Sequence, residues 1–145
     1  MTGATGPIAS EVRIERRVEW PDTDAAGHYH HSTLLRWVEA AEAELYDRLQ
    51  VVDLFGVVPR VHLEINHRAR LWFRDEVEIR LWIARIGRSS ITYEFAVLRA
   101  DEPAADGSMT AVHVDPHAGV ATPWPDRVMT AFKATRRDPQ HCSSH

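Results

Sequence analysis

The chain has 145 residues, 44% of them apolar and 26% charged, with a net charge of -4 and a single cysteine. Those values suit one globular domain that buries about two-thirds of its chain surface, and they exclude a disulfide framework and a nucleic-acid binder that works through a basic surface. No apolar run is long enough for a bilayer, and residues 1–10 carry no basic patch followed by an apolar stretch. The expectation is a cytoplasmic protein with neither a membrane nor a nucleic-acid partner.

Residues 1–10 are rich in Gly, Thr and Ala, and residues 136–145 are polar, with Pro139 and the lone Cys142; both ends are expected to be disordered around a domain of residues 11–135. Val12, Ile14, Val18 and Trp20 alternate as in a strand, with only Arg16 breaking the series, until Pro21 and Asp22 end it. A loop follows, containing Gly27 and the histidines His28, His30 and His31. Ser32 or Thr33 is placed to cap a helix that runs to about Gln50. Leu34, Val38, Ala41, Leu45 and Leu49 form its apolar stripe, and Leu35, Trp37, Ala40 and Tyr46 widen it. A stripe that wide predicts a central helix, covered on more than one side.

After Pro59 the period changes to two. Val61, Leu63, Ile65, His67, Ala69, Leu71 and Phe73 share one face across 13 residues, which is about 40 Å of extended chain. Asp75 marks a turn, Val77, Ile79, Leu81 and Ile83 a strand, and Gly87-Arg88-Ser89 the next turn. Ile91, Tyr93, Phe95 and Val97 make another strand. Residues 102–107 read as a loop, 109–114 as a last strand that can extend through Val120, and 126–133 as a short terminal helix after Pro123 and Pro125.

Tight connections between consecutive strands require antiparallel pairing. The repeated apolar face must cover something, and the long helix is the large apolar element available. The fold class expected is α+β: a curved antiparallel sheet of about five strands wrapped around one long central helix. Such a sheet leaves an edge strand, which symmetric dimers commonly pair.

At this point the residues resemble a known family. Trp20-Pro21-Asp22-Thr23-Asp24-Ala25-Ala26-Gly27-His28-Tyr29-His30-His31 is similar to the signature of the 4-hydroxybenzoyl-CoA thioesterase-like branch of hot-dog-fold proteins. The helix Leu35-Arg36-Trp37-Val38-Glu39-Ala40-Ala41, the run 61–75 with its acidic turn, and His113-Val114-Asp115-Pro116-His117-Ala118-Gly119 continue the likeness, which covers about residues 12–132. The resemblance implies a hot-dog fold, a homodimer or homotetramer, and hydrolysis of acyl-CoA or acyl-carrier-protein thioesters. By motif position it makes Asp24 the catalytic carboxylate and His31 the position whose backbone N–H receives the thioester oxygen. It sets Gly27 and Tyr29 against the substrate. Arg88 matches a stretch that is basic in the family, and Glu39 a position that is acidic there. His28 stands where the family has a small apolar residue.

The chemistry is consistent with those assignments. A thioester carbonyl is electrophilic and a thiolate leaves readily, so no cofactor is expected, only an oxygen nucleophile or base and an oxyanion binder. Asp24 can attack the carbonyl or activate a water. The helix that follows offers unpaired N–H groups and the positive end of its dipole. Gly27 lets the backbone pass close to the substrate. Spacing alone leaves Asp22 and Asp24 equally open to turn and cap duties. The His31 ring is open to packing as well as to steering the substrate. Glu39 is the reserve catalytic acid; with Glu42 and Glu44 it otherwise reads as a solvated or paired structural group. Arg88, with Arg85 as its neighbour in sequence, suits phosphate through its fork, though turn arginines are commonly just solvated.

His28, His30 and His31, or His113, Asp115 and His117, raise a metal reading, but neither group has a strong metal-ligand spacing and no metal is expected. Trp72, Phe73 and Trp82 are expected to pack in the strands. Two other activities share the fold: a hydratase or dehydratase on acyl thioesters, and non-catalytic acyl-CoA binding.

Overall fold

The computed structural model describes residues 11–23 and 31–135, with only the backbone of His31. Five strands, β1 (Glu11–Arg17), β2 (Arg60–His67), β3 (Glu76–Ile86), β4 (Ser90–Arg99) and β5 (Glu102–Val112), form a single sheet in the order β1-β3-β4-β5-β2. Every neighbouring pair is antiparallel. Helix α1 (His31–Leu49) follows β1, and helix α2 (Asp126–Thr135) closes the described chain.

The alternating residues of β3 and β4 build the core face. Val77, Ile79, Leu81, Ile83, Ile91, Tyr93, Phe95 and Val97 are all buried, and burying such a side chain is worth about 1.5–3 kcal/mol. Helix α1 packs on β3 and β1. Its predicted stripe of Leu34, Val38, Ala41, Leu45 and Leu49 is buried, as are Trp37 and Tyr46. The helix begins at His31, so Ser32 and Thr33 lie inside its first turn and are not its caps. Helix α2 adds Val128 and Phe132 to the same core, and the Phe132 ring lies edge-on to Trp124 at 5.0 Å.

Several strand boundaries differ from expectation: β1 ends at Arg17, with Trp20 in a 3-10 turn, and β5 ends at Val112 rather than Val114. Residues 102–107 are strand, because the turn lies earlier: Ala100 and Asp101 adopt φ values of 50° and 68°, which fits a two-residue hairpin closed by Arg99 opposite Glu102. Pro103 is accommodated at a register shift beside Val97 and Leu98, where the absent N–H costs no regular ladder bond. The 61–73 alternation stays in the sheet only to His67. There the partner strand nears its start, and the N–H groups of Arg68 and Ala69 both turn to the carbonyl of Ala104. Leu71 is still buried, while Trp72 and Phe73 are exposed, with the Phe73 ring edge-on to Trp20 at 5.3 Å.

Gly107, within β5, is required by close packing. A Cβ there would collide with the Glu64 carbonyl on β2 and the Phe95 ring on β4. β2 is a sheet edge, and it carries Val61 at 61% and Leu63 at 40% exposure. Leu63 lies opposite buried Met109, so this edge extends the apolar face beyond what the helices cover.

Candidate active site

The site is approached along β1. Its last residue, Arg17, pairs with Glu76 at the start of β3, and Val18 donates its N–H to the Asp75 carbonyl at 2.8 Å. The chain then makes a tight 3-10 turn over Trp20–Asp22. Pro21 suits the start of that turn because it needs no donor there. The turn is held twice: Glu19 donates its N–H to Asp22 Oδ2 at 2.8 Å, and Asp22 donates its own N–H to the Glu19 carbonyl at 2.9 Å. Thr23 donates both its N–H, at 3.1 Å, and its hydroxyl, at 2.7 Å, to the Trp20 carbonyl.

Asp24, Gly27 and Tyr29 lie outside the described residues, as do His28 and His30. The two ends of their loop are described, and they meet. Thr33, fully buried in the first turn of α1, donates its hydroxyl to the Asp22 carbonyl at 3.2 Å. Arg36, one turn further, donates to Asp22 Oδ1 at 2.7 Å and to Thr33 Oγ1 at 3.0 Å. The amino end of α1, whose first N–H groups have no partner within the helix, therefore lies beside the residues that lead into Asp24. Sequence reasoning read Asp22 as a turn residue and did not single out Arg36. The spacing of Thr33 and Arg36 puts them on one helix face, but nothing local pairs either with Asp22.

Glu39 is exposed on α1 and faces Arg60, with Oε2 3.6 Å from Nε. Glu42, one turn on, is buried and bonded to the Arg60 guanidinium; Tyr46 donates to its Oε2 at 3.2 Å. Burial raises the Glu42 carboxyl above the usual carboxylate range, with the attraction of Arg60 offsetting only part of that effect. Glu44 forms an exposed pair with Arg48 at 2.9 Å. Glu42 and Glu44 thus make paired structural contacts.

Arg88 is exposed in its turn. That turn is braced by Trp124, whose backbone N–H bonds the Arg88 carbonyl and whose indole N–H bonds the Ser90 carbonyl, both at 3.0 Å, and by His113, whose N–H bonds the Ser89 carbonyl at 2.7 Å. It follows the far end of β3, so Arg88 and the Trp20–Asp22 turn of the chain stand at opposite ends of an 11-residue strand, which is about 35 Å long.

The His113, Asp115 and His117 group is used up in a turn. His113 Nδ1 is 2.9 Å from the Thr122 carbonyl and its ring stacks on Trp124. Asp115 Oδ1 accepts the N–H groups of His117 and Ala118, which hold its carboxyl below the usual range. Among the described residues, no three His, Cys, Asp or Glu side chains converge as metal ligands.

A family model for the thioesterase-like superfamily matches residues 18–132. The chain belongs to that superfamily. The match spans the Trp20–Asp22 turn, both ends of the loop that follows it, and helix α1. Among its relatives, a 1,4-dihydroxy-2-naphthoyl-CoA hydrolase of Synechococcus sp. (strain CC9605) is 30% identical, over 81% of this chain and 86% of that protein. A thioesterase of Thermus thermophilus solved with coenzyme A and Zn superposes with a TM-score of 0.80 at 25% identity, over 88% of this chain and 96% of that one. A gentisyl-coenzyme A thioesterase gives a TM-score of 0.72 at 26% identity, over 83% and 98%. The hot-dog architecture of this superfamily member is thereby established along with its five-stranded antiparallel sheet.

Proposed function

We infer that the protein is an acyl-CoA thioesterase, with Asp24 as its catalytic carboxylate and the first N–H groups of α1, from the His31 backbone onward, as its oxyanion binder. One observation carries this reading: Asp22 is bonded to the first two turns of α1, through Thr33 and Arg36. This joins the residue two positions before Asp24 to the amino-terminal part of α1, which supports a carboxylate and a helix amino end acting on one carbonyl. Gly27 and Tyr29, in the loop between them, border the substrate.

The carboxylate accepts a proton from water as that oxygen attacks the thioester carbonyl, or attacks the carbon itself to form an anhydride that water then opens. In either route the helix N–H groups receive the developing oxyanion, an interaction worth on the order of a hundredfold in rate per donor. The carbon–sulfur bond breaks, the thiolate takes up a proton, and a free acid and a thiol leave.

Two of the similar proteins are named for aromatic acyl groups, 1,4-dihydroxy-2-naphthoyl and gentisyl. The exposed rings of Trp20 and Phe73, 5.3 Å apart at 76°, sit just ahead of the loop. An aromatic acyl-CoA is the substrate we assign, with coenzyme A preferred over a carrier protein and a cytoplasmic location to match.

The uncovered apolar edge of β2 supports a homodimer in which two such edges pair antiparallel. A two-fold pairing of that kind turns the second copy end for end, so that its Gly87–Ser89 turn faces the same end of the joined sheet as the Trp20–Asp22 turn of the first. Arg88 then meets the coenzyme A phosphates across the interface, a contact for which its forked guanidinium is suited.

The test is a panel of aromatic and aliphatic acyl-CoA thioesters with detection of free thiol, run on wild type and on Asp24→Asn. Expected are release of coenzyme A by wild type and a loss of about a hundredfold or more in the variant, as for a missing base or nucleophile, with unchanged melting. Wild-type binding without thiol release would point to the acyl-binding reading. Hydration of an enoyl-CoA would point to the lyase one.

A further inference from the structure

Asp22 does more than close a turn. A turn role needs only the bond from the Glu19 N–H to Oδ2, at 2.8 Å. The other carboxylate oxygen, Oδ1, takes the Arg36 guanidinium at 2.7 Å, and the Asp22 carbonyl takes the Thr33 hydroxyl at 3.2 Å. Arg36 also donates to Thr33 Oγ1 at 3.0 Å, so the three residues close a ring of bonds between the turn and the helix. Asp22 and Thr33 are buried at 6% and 0% exposure, which shields the bond between them, while Arg36 reaches both from the solvent side.

The loop of residues 24–30 departs just after this ring and re-enters the helix just before it. Thr23 is fixed by its two bonds to the Trp20 carbonyl. Asp24 is the next residue in the chain after this pinned one. On the other side, Thr33 and Arg36 belong to the element whose amino end supplies the oxyanion donors.

Resting on the thioesterase reading, we propose that Asp22, Thr33 and Arg36 form a positioning clamp, setting the distance between the Asp24 carboxylate and the amino end of α1. None of the three touches the reacting atoms. They act through Asp24, because an error of about 1 Å between a catalytic group and its oxyanion site costs about a hundredfold. The Arg36 side chain is 61% exposed while the carboxylate it holds is 9% exposed, so Arg36 can be changed with little disturbance of the core.

The experiment compares wild type, Arg36→Met, Arg36→Lys and Asp22→Asn for kcat, KM and melting temperature on the best acyl-CoA, and repeats Arg36→Met in an Asp24→Asn background. A positioning clamp predicts a fall in kcat of about ten- to a hundredfold for Arg36→Met, with KM within about twofold and melting unchanged. Arg36→Lys should recover part of the loss, since an ammonium can bond one of the two acceptors but lacks the fork. In the Asp24→Asn background Arg36→Met should cost nothing further, because the group it positions is gone.

Wild-type kcat in Arg36→Met would overturn the clamp, as would an equal fold-loss in the Asp24→Asn background or a loss that tracks melting temperature. Absence of hydrolysis by wild type on every thioester would instead overturn the thioesterase reading and take the clamp with it.

Discussion

Tyr93 on β4 donates its hydroxyl to the hydroxyl of Tyr46 on α1 at 2.6 Å, in the centre of the apolar core. Tyr46 passes the bond to Glu42, and Glu42 is held by Arg60 at the start of β2. Burial raises both phenols above their ordinary values, so they stay protonated and able to donate at any pH the protein meets. A buried carboxyl at the end of such a chain ties the helix to two strands, and it carries a linked proton.

Glu42 therefore makes stability depend on pH. Its carboxyl is raised in the native state by burial, so between the ordinary carboxylate value and that raised value the native chain binds more protons than the unfolded one. Unfolding free energy then falls as pH rises through that window. Glu42→Gln should remove this decline: its urea midpoint should change less from acid to neutral pH than that of wild type. An unaltered wild-type slope in the variant would show that another group is responsible.

Glu39 and Asp24 are separable as catalytic acids. Glu39 is exposed and its carboxylate sits 3.6 Å from Arg60, in an ion pair about two turns along α1 from its amino end. Glu39→Gln should keep kcat within about threefold of wild type, the small change expected of a surface pair, against about a hundredfold or more for Asp24→Asn. Loss of turnover in Glu39→Gln comparable to that in Asp24→Asn would transfer the catalytic role to the helix.

Gly107 tests the sheet's close packing. Gly107→Ala places a methyl group against the Glu64 carbonyl, which is backbone, and the Phe95 ring. Backbone cannot swing aside as a flexible side chain does, so a cost of about 1–3 kcal/mol follows, typical of overpacking. Chemical denaturation read by tryptophan fluorescence measures it directly.

Most of this architecture was legible because burial imposes its period on sequence. The 3.6-residue stripe of Leu34, Val38, Ala41, Leu45 and Leu49 and the twofold alternation of β3 and β4 both follow from one-sided burial. Strand ends were not legible from that signal. Ala69 and Leu71 keep the alternation after β2 has left the sheet, because Leu71 is still buried by tertiary contacts. The Ala100–Asp101 turn lacks glycine, so the glycine at 107 drew the loop into what is strand. At the site, the Asp22 to Asp24 motif announced itself by residue type and place. Arg36 did not, because its bond to Asp22 spans 14 residues and no local pattern encodes it.

The β2 edge supplies the last prediction. Leu63 lies opposite Met109 on the apolar face, yet is 40% exposed, and Val61 is 61% exposed. An edge strand with uncovered apolar side chains is a pairing surface, and a charge placed on it opposes pairing. For the proposed homodimer, Leu63→Arg should therefore yield a monomer by light scattering. Its melting at low concentration should stay near that of dissociated wild type, since Leu63 contributes little to the protomer core. If the proposed homodimer carries Arg88 of one copy to the substrate of the other, hydrolysis should fall with dissociation. A wild-type protein that is monomeric at working concentration and fully active would remove the second copy from the site.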